Sequence, residues 1–291
     1  MTDTHSMLTC ERKIRKTIAS YNPDVVVSVH PTMQNVPLKA TRKISKKLGK
    51  RIPFVTVVTD FGSGHCHWFH KGVDKLYVAS DRIRKIAKRR ARVKDDKIVQ
   101  IGLPIRVDFA IQAEAMGDRT SNNGRRYQSK IRKQLGISAE KKMILVMGGG
   151  EGVGALSDIV DALYATLTKA NVDASIVVVC GRNQKLKEGL KVKDWKKVID
   201  NYDKPRRKKR YFIFGLFRRA LPSRRIRQSL EKYDQLKNES YDQQGNVDVI
   251  GLGFISNMAE YMVASDVLVT KAGPGTIAEA AAVGLPVMLT R

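Results

Sequence analysis

Nine short runs rich in Val, Ile and Leu recur along this chain, most of them separated by segments of helical composition. The first four are DVVVSVH (24–30), PFVTVVTD (53–60), KLYVAS (75–80) and KIVQIG (97–102). The later ones are KMILVMGGG, SIVVVCG, VDVIGLG, DVLVTKAG and LPVMLT. These runs are apolar throughout rather than alternating, which is the pattern of strands covered on both faces of a parallel sheet. Cationic helical segments such as KATRKISKKLG and DRIRKIAKRRARV lie between them. The fold expected is therefore α/β. After LPIRVDF comes a polar stretch, AEAMGDRTSNNGRRYQ, that reads as a linker. The expected organisation is two Rossmann-like domains, 1–106 and 141–291, joined by a linker over 107–140. A charged segment over 193–245 interrupts the second domain and is too long for an ordinary strand–helix loop.

Charge narrows the company the chain keeps. Lys and Arg number 54 against 28 Asp and Glu, a net charge of +26. Such a balance points to nucleic acid or an anionic membrane surface. Aromatic residues are only 7% of the composition, and no RNP-like or zinc-finger pattern is visible, which weighs against nucleic acid. The basic centre of the 193–245 segment carries Tyr211, Phe212, Phe214, Leu216 and Phe217, a mixture suited to an anionic headgroup layer. The plainer reading of that segment is a disordered insertion. No run approaches the ~18–20 apolar residues of a membrane span. The opening MTDTHSMLTCERKIRK lacks the apolar core of a secretory signal. Cys10, Cys66 and Cys180 are odd in number and widely spaced, so they read as free thiols in a reducing compartment.

Glycines mark the ends of several runs. ILVMGGGEGVGALSDIVDAL is a strand, a glycine-rich turn and a helix, with Gly150-x-Gly152-x-x-Ala155 spacing. A dinucleotide site would want an acidic residue at the end of the next strand, and VVVCGRNQK offers Arg182 and Asn183 there. A nicotinamide cofactor is disfavoured and a cradled diphosphate favoured. Further glycine turns are read at 251–253 and 273–275. In a parallel sheet such turns share one edge. TKAGPGTIAEAAAVGLP (270–286) admits two readings. Thr276 and Glu279 form the T-x-x-E pattern of a capping box. Alternatively, the Gly-Pro-Gly turn exposes N–H groups to an anion and Glu279 accepts from ribose hydroxyls. The clustering of glycine turns favours the ligand. In HCHWFH, the side chains of His65, Cys66, His67 and His70 are of metal-binding type, but a zinc site would need a fourth well-placed ligand. A polar acceptor surface ranks above a metal site, with Trp68 suited to a membrane interface.

SVHPTMQNVPL, TVVTDFGSGHCHWFHKGVDKLYVAS, IGLPIR, MGGGEGVG, VVCGRNQKL and GFISNMAEYMVASDVLVTKAGPGTIAEAAAVGLPVML together resemble the monogalactosyldiacylglycerol synthases of plastids, relatives of the bacterial MurG-type glycosyltransferases. The likeness runs from about residue 22 to 291, apart from the linker and the basic segment. It implies a GT-B glycosyltransferase whose two domains face a cleft. Such an enzyme transfers galactose from UDP-galactose to diacylglycerol with inversion, uses no bound metal, and works peripherally at the plastid envelope among anionic lipids. A homodimer is left open. Carried over, Gly149, Gly150, Glu151 and Gly152 would face the diphosphate or sugar, and Arg182 belongs with the nucleotide-sugar residues. Gly253, Phe254 and Ile255 would flank uracil. Gly273, Pro274, Gly275 and Thr276 would bound the nucleotide site, with Glu279 on the ribose. His30, Pro31, His65, Trp68 and His70 would lie toward the acceptor.

The resemblance also implies a Gly-Gly-Gly-His turn, carrying the candidate base, ahead of the strand at 24–30, and a Gln-x-x-x-Asn stretch beyond the last run. Neither is in this sequence, so a fragment, incomplete at both ends, that transfers galactose poorly or not at all is expected. His30 is then the fallback base, and a residue that orients the acceptor is the alternative. Two rival readings stand beside the enzyme: a basic nucleic-acid-binding α/β protein, and a catalytically silent remnant that binds anionic lipid.

Overall fold

A computed structural model describes residues 2–148, 155–202 and 246–290. The chain divides into two compact units, Met1–Arg106 with Gly273–Glu279, and Val107–Ala272 with Ala280–Arg291. Residues 149–154 and most of the basic segment, 203–245, fall outside the described residues.

The first unit holds helix α1 (Thr2–Ser20), β1 (Val26–Ser28), α2 (Asn35–Leu48), β2 (Phe54–Val57), a short 3₁₀ turn (Cys66–Trp68), β3 (Lys75–Val78), α3 (Asp81–Ala91) and β4 (Ile98–Gln100). The strands form one parallel sheet in the order β1-β2-β3-β4. Every crossover steps the same way, so right-handed connections put α2 and α3 on the same face. Leu38 of α2 and Ile83 and Ala87 of α3 close over Phe54, Leu76, Val78 and Ile98 there. Coverage of both faces, expected from the apolar runs, does not hold for β1. Val25, Val27 and Val29 all point to the other face of this edge strand, and Val27 is 52% exposed.

The second unit contains α4 (Val107–Met116), α5 (Asn122–Gln134), β5 (Lys142–Met147), α6 (Ala155–Lys169), β6 (Ala174–Val179), α7 (Gln184–Lys191), α8 (Trp195–Tyr202), β7 (Val247–Leu252), α9 (Met258–Ala264) and β8 (Val267–Thr270). Helix α10 (Pro274–Ala282) leads to β9 (Val287–Leu289). The sheet is parallel throughout, ordered β7-β6-β5-β8-β9. Here the central strands are buried on both sides, as expected: Met143 and Leu145 on one face of β5, Ile144 and Val146 on the other.

Three sequence expectations need correction. The 107–140 stretch is not a linker but two helices that pack against α9. Its polar residues are structural. The Ser121 hydroxyl caps α5 by accepting from the Gly124 N–H at 3.0 Å. Gly124 has no substitute, because a Cβ there would lie 2.2 Å from the Asp118 carbonyl oxygen. Arg119 donates to the carbonyls of Met262 (2.9 Å) and Ser265 (2.6 Å) at the end of α9 and of Val283 (2.9 Å) just after α10, satisfying groups at both helix ends. Burial lowers the Arg119 pKa to about 10, against the raising effect of Asp266. Second, the segment read as an interruption from 193 onward continues the fold as far as Tyr202. Trp195 of α8 packs on Tyr164 of α6 with ring centroids 4.5 Å apart. Third, Gly251 does not belong to a turn; it lies within β7, opposite Val178 of β6.

Arg132 is the most heavily bonded side chain of α5. It donates to the carbonyls of Ala264 (2.7 Å), Ala139 (3.2 Å) and Lys141 (3.1 Å) and pairs with Asp266 at 2.8 Å. Removing one member of a largely buried pair leaves charge and carbonyls unsatisfied. Arg132→Met is expected to lower the unfolding free energy by about 3 kcal/mol in chemical denaturation. A loss below about 1 kcal/mol, the scale of a single ordinary hydrogen bond, would show that the cluster is not structurally important.

Candidate functional site

In the second sheet the strand order reverses between β5 and β8. Crossovers from β5 run one way and those toward β9 the other, so a crevice opens outside the carboxyl ends of these two strands. The turns leaving β5, β6, β7 and β8 therefore share one edge. They carry Gly148, Arg182, Gly253 and Lys271 respectively. Gly149, Gly150, Glu151 and Gly152 follow Gly148 in sequence and lie outside the described residues.

The β6 turn has Gly181 in the left-handed region at φ 58°. Arg182 follows it, exposed, and the Asn183 side chain caps α7 by accepting from the Leu186 N–H at 2.9 Å. The β7 turn exposes Phe254 (77%) between Gly253 and Ile255. An exposed aromatic ring held on a short turn can stack on a flat ligand.

After β8, the helix starts at Pro274, not beyond Thr276. Proline suits that first position, where its missing N–H is not needed. The first helical bond runs from the Ile277 N–H to the Gly273 carbonyl at 3.0 Å. The capping-box reading of Thr276 and Glu279 is thereby excluded, since Thr276 already sits inside the first turn. The Gly275 and Thr276 N–H groups are among the unpaired donors of that turn, at the positive end of the helix. Glu279 is held instead by Arg106, with Nε to Oε1 at 2.8 Å and Nη2 to Oε2 at 3.2 Å. This fork-on-fork pair leaves one lone pair on each carboxylate oxygen for a further donor. Sequence reasoning missed Arg106, although it ends the quoted IGLPIR motif.

In the first unit, His30 and Pro31 form the turn after β1, with His30 exposed. Behind them lies a buried hub that sequence reasoning also missed. Gln34 is 1% exposed; its Nε2 donates to Ser28 Oγ (2.8 Å) and to the His30 carbonyl (3.0 Å), and its Oε1 accepts from Thr56 Oγ1 (2.6 Å). Ser28 Oγ donates on to the Met33 carbonyl at 2.6 Å. The turn's backbone is thus fixed from beneath by a polar network with every member satisfied. The His30 ring faces its own chain: Nδ1 lies 2.9 Å from Thr32 Oγ1 and accepts from the Thr32 N–H at 3.4 Å.

His65 and His70 repeat the arrangement. His65 Nδ1 accepts from the His67 N–H at 3.3 Å, and His70 Nδ1 from the Gly72 N–H at 2.9 Å. Gly72 is required at the second of these, because a Cβ would come within 2.9 Å of the His70 ring and 2.5 Å of Arg42 Nη2. Trp68 departs from expectation. It is 1% exposed, packed in the core of the first sheet, and its indole N–H donates to Asp60 Oδ2 at 2.8 Å. It is not an interfacial residue: the 3₁₀ turn at Cys66–Trp68 rotates it inward, where Asp60 satisfies its one polar atom. Asp60 also accepts from the His65 N–H at 3.2 Å, so it shapes the whole turn. Among the described residues no group of three or more His, Cys, Asp and Glu side chains is placed to hold a metal ion.

Residues 4–105 match the family model described as monogalactosyldiacylglycerol (MGDG) synthase, and residues 224–290 match the glycosyltransferase family 28 C-terminal domain. Monogalactosyldiacylglycerol synthase 1, chloroplastic, of Arabidopsis thaliana is 33% identical over 281 residues, covering 96% of this chain and 40% of that protein. Monogalactosyldiacylglycerol synthase, chloroplastic, of Spinacia oleracea is 32% identical, with 96% and 41% covered. The chain thus spans about 40% of the length of these relatives. Among solved structures, MurG of Acinetobacter baumannii is similar at a TM-score of 0.49 and 14% identity, over 99% of this chain and 58% of that one. Over the length that it spans, the chain belongs to the monogalactosyldiacylglycerol synthase family of glycosyltransferases.

Proposed function

We propose that this chain binds UDP-galactose at the carboxyl edge of its second sheet and transfers galactose, with inversion and without a bound metal, to diacylglycerol. The observation that carries the reading is the reversal of strand order between β5 and β8, with Gly148 after the one strand and the turn of Lys271 and Ala272 after the other. Family membership favours galactose as the sugar and diacylglycerol as the lipid. Phe254 is suited to the uracil face, and Glu279, with acceptor capacity left beside Arg106, to the ribose hydroxyls. The Gly275 and Thr276 N–H groups favour an anionic diphosphate. In the first unit, the His30–Pro31 turn and the 65–70 segment are assigned to the lipid side. The relatives' names carry the chloroplast, and we extend to this chain a peripheral place on a plastid membrane.

UDP is expected to bind the chain saturably in calorimetry. Glu279→Ala should weaken that binding by about 1–3 kcal/mol, the range for hydrogen bonds to a charged group. Its melting temperature should change little, because the Arg106 side chain left behind is 52% exposed. Unaltered UDP affinity in Glu279→Ala would remove this residue from the site, and failure of the parent chain to bind UDP would overturn the reading. Transfer is tested directly with UDP-galactose and diacylglycerol.

Helix α3 supports the membrane part of the proposal. Arg82, Lys85, Arg89 and Arg90 line a shallow hollow of about 500 Å³ with Asp81 and Ile86. Each cation near an anionic leaflet contributes about 1 kcal/mol. Among the described residues no helix is long and apolar enough to cross a membrane. The chain is expected to float with anionic vesicles at low salt and to leave them at high salt. Reversing Arg82, Lys85 and Arg89 to Glu should reduce that flotation. Equal binding to neutral and anionic vesicles would contradict an electrostatic attachment.

A further inference from the structure

We propose that His30 acts on the acceptor substrate as a hydrogen-bond donor through Nε2–H, and not as a proton acceptor. The inference rests on the acceptor-side assignment made above, but its physical basis is the geometry of the turn. A backbone N–H can only donate, so the atom it points at must carry a lone pair. The Thr32 N–H points at His30 Nδ1 at 3.4 Å, and the Thr32 hydroxyl, which can turn its hydrogen toward the same lone pair, lies 2.9 Å from that nitrogen. A neutral imidazole has one N–H and one lone pair, so with Nδ1 accepting, the proton resides on Nε2. The only lone pair of the ring is then turned back onto its own chain. To serve as a base, His30 would have to accept at Nδ1, which faces the Thr32 N–H, or at Nε2, which already bears hydrogen.

The arrangement does not depend on a loose loop. Gln34 donates to the His30 carbonyl at 3.0 Å, and Ser28 Oγ ties down the Met33 carbonyl at 2.6 Å, so both flanks of Thr32 are fixed. The same ring-to-backbone bond recurs at His65 with the His67 N–H and at His70 with the Gly72 N–H. Three histidines of the first unit therefore carry one tautomer, set in each case by the N–H two residues further on. Such side chains offer a fixed donor to an oxygen, here a hydroxyl or ester oxygen of the acceptor. His30 and His65 are both exposed, and His30 is the one at the carboxyl end of a strand, β1, the edge that ligands use in open parallel sheets.

Two measurements on the same chain test this. Long-range ¹H–¹⁵N correlation spectra of histidine-labelled protein, above the titration of the rings, should show Nε2 as the protonated, pyrrole-type nitrogen at His30, His65 and His70. A neutral His30 protonated at Nδ1 would overturn the proposal. In the transfer assay, His30→Gln keeps an N–H donor but has no basicity. It should retain turnover within roughly tenfold of the parent, whereas loss of a general base costs ~100–10,000-fold. His30→Ala should lose more than His30→Gln. Equal, severe loss in both variants would contradict the donor role. A parent chain without turnover would overturn the proposed activity, and the spectra would still decide the tautomer.

Discussion

The structure of the second unit depends on how β5 is paired. It hydrogen-bonds to β6 on one side and β8 on the other, and the chain reaches each by a crossover in the opposite direction. That single topological fact buries both faces of β5, opens a crevice at its carboxyl end, and brings four turns to one edge. The register is fixed at the opposite end by Asp266. Its N–H donates to the Met143 carbonyl at 2.8 Å, and its carboxylate accepts from the Met143 N–H at 2.8 Å while Arg132 clamps it. A slip of one residue between β5 and β8 would break all three bonds and turn the buried faces around.

The same device operates elsewhere. In the first unit Asp74, just before β3, donates its N–H to the Phe54 carbonyl at 2.9 Å and accepts the Phe54 N–H at 2.8 Å. Arg51 takes its other oxygen at 2.8 Å. Burial alone would raise the Asp74 pKa, but the Phe54 N–H and Arg51 outweigh it and hold the carboxyl below its ordinary value. Before β6, Asp173 accepts the Asn246 N–H at 2.9 Å. Three aspartates at strand entrances thus satisfy the first N–H of a neighbouring run, where the ladder of main-chain bonds has not yet begun. Both sheets are registered from their amino edges, which leaves the turns at the carboxyl edges free of these clamps.

Much of this was legible in the residues. All nine apolar runs became strands; the unbroken hydrophobic signature of a covered parallel strand holds for the central ones, while the edge strands β1 and β9 leave Val27, Met288 and Leu289 exposed. The Asp-hydrophobic junctions VDKLYV, VDASIV and SDVLVT were also present, yet their role depends on which strand lies alongside, and sequence order alone does not give that. The 107–140 stretch misled because its arginines, asparagines and serines look solvated. Arg119 and Arg132 are instead drawn inward by carbonyls at the end of α9, partners contributed by residues more than a hundred positions away. Trp68 misled for the converse reason. A tryptophan among histidines suits a membrane surface until a local partner such as Asp60 is seen to satisfy its N–H in the core. Among the candidate site residues, turn positions were readable from their glycines, whereas Gln34 and Arg106 act through bonds that no spacing announces.

The central claim is that a nucleotide sugar occupies the carboxyl edge of the second sheet, at the reversal between β5 and β8. Backbone amide shift mapping on ¹⁵N-labelled chain titrated with UDP tests it most directly. The account predicts perturbations concentrated at Met147 and Gly148, at Leu252–Ile255 and at Thr270–Thr276. Perturbations confined to the amino edge, around Met143, Asp173 and Asp266, or spread over the cationic face of α3, would contradict it.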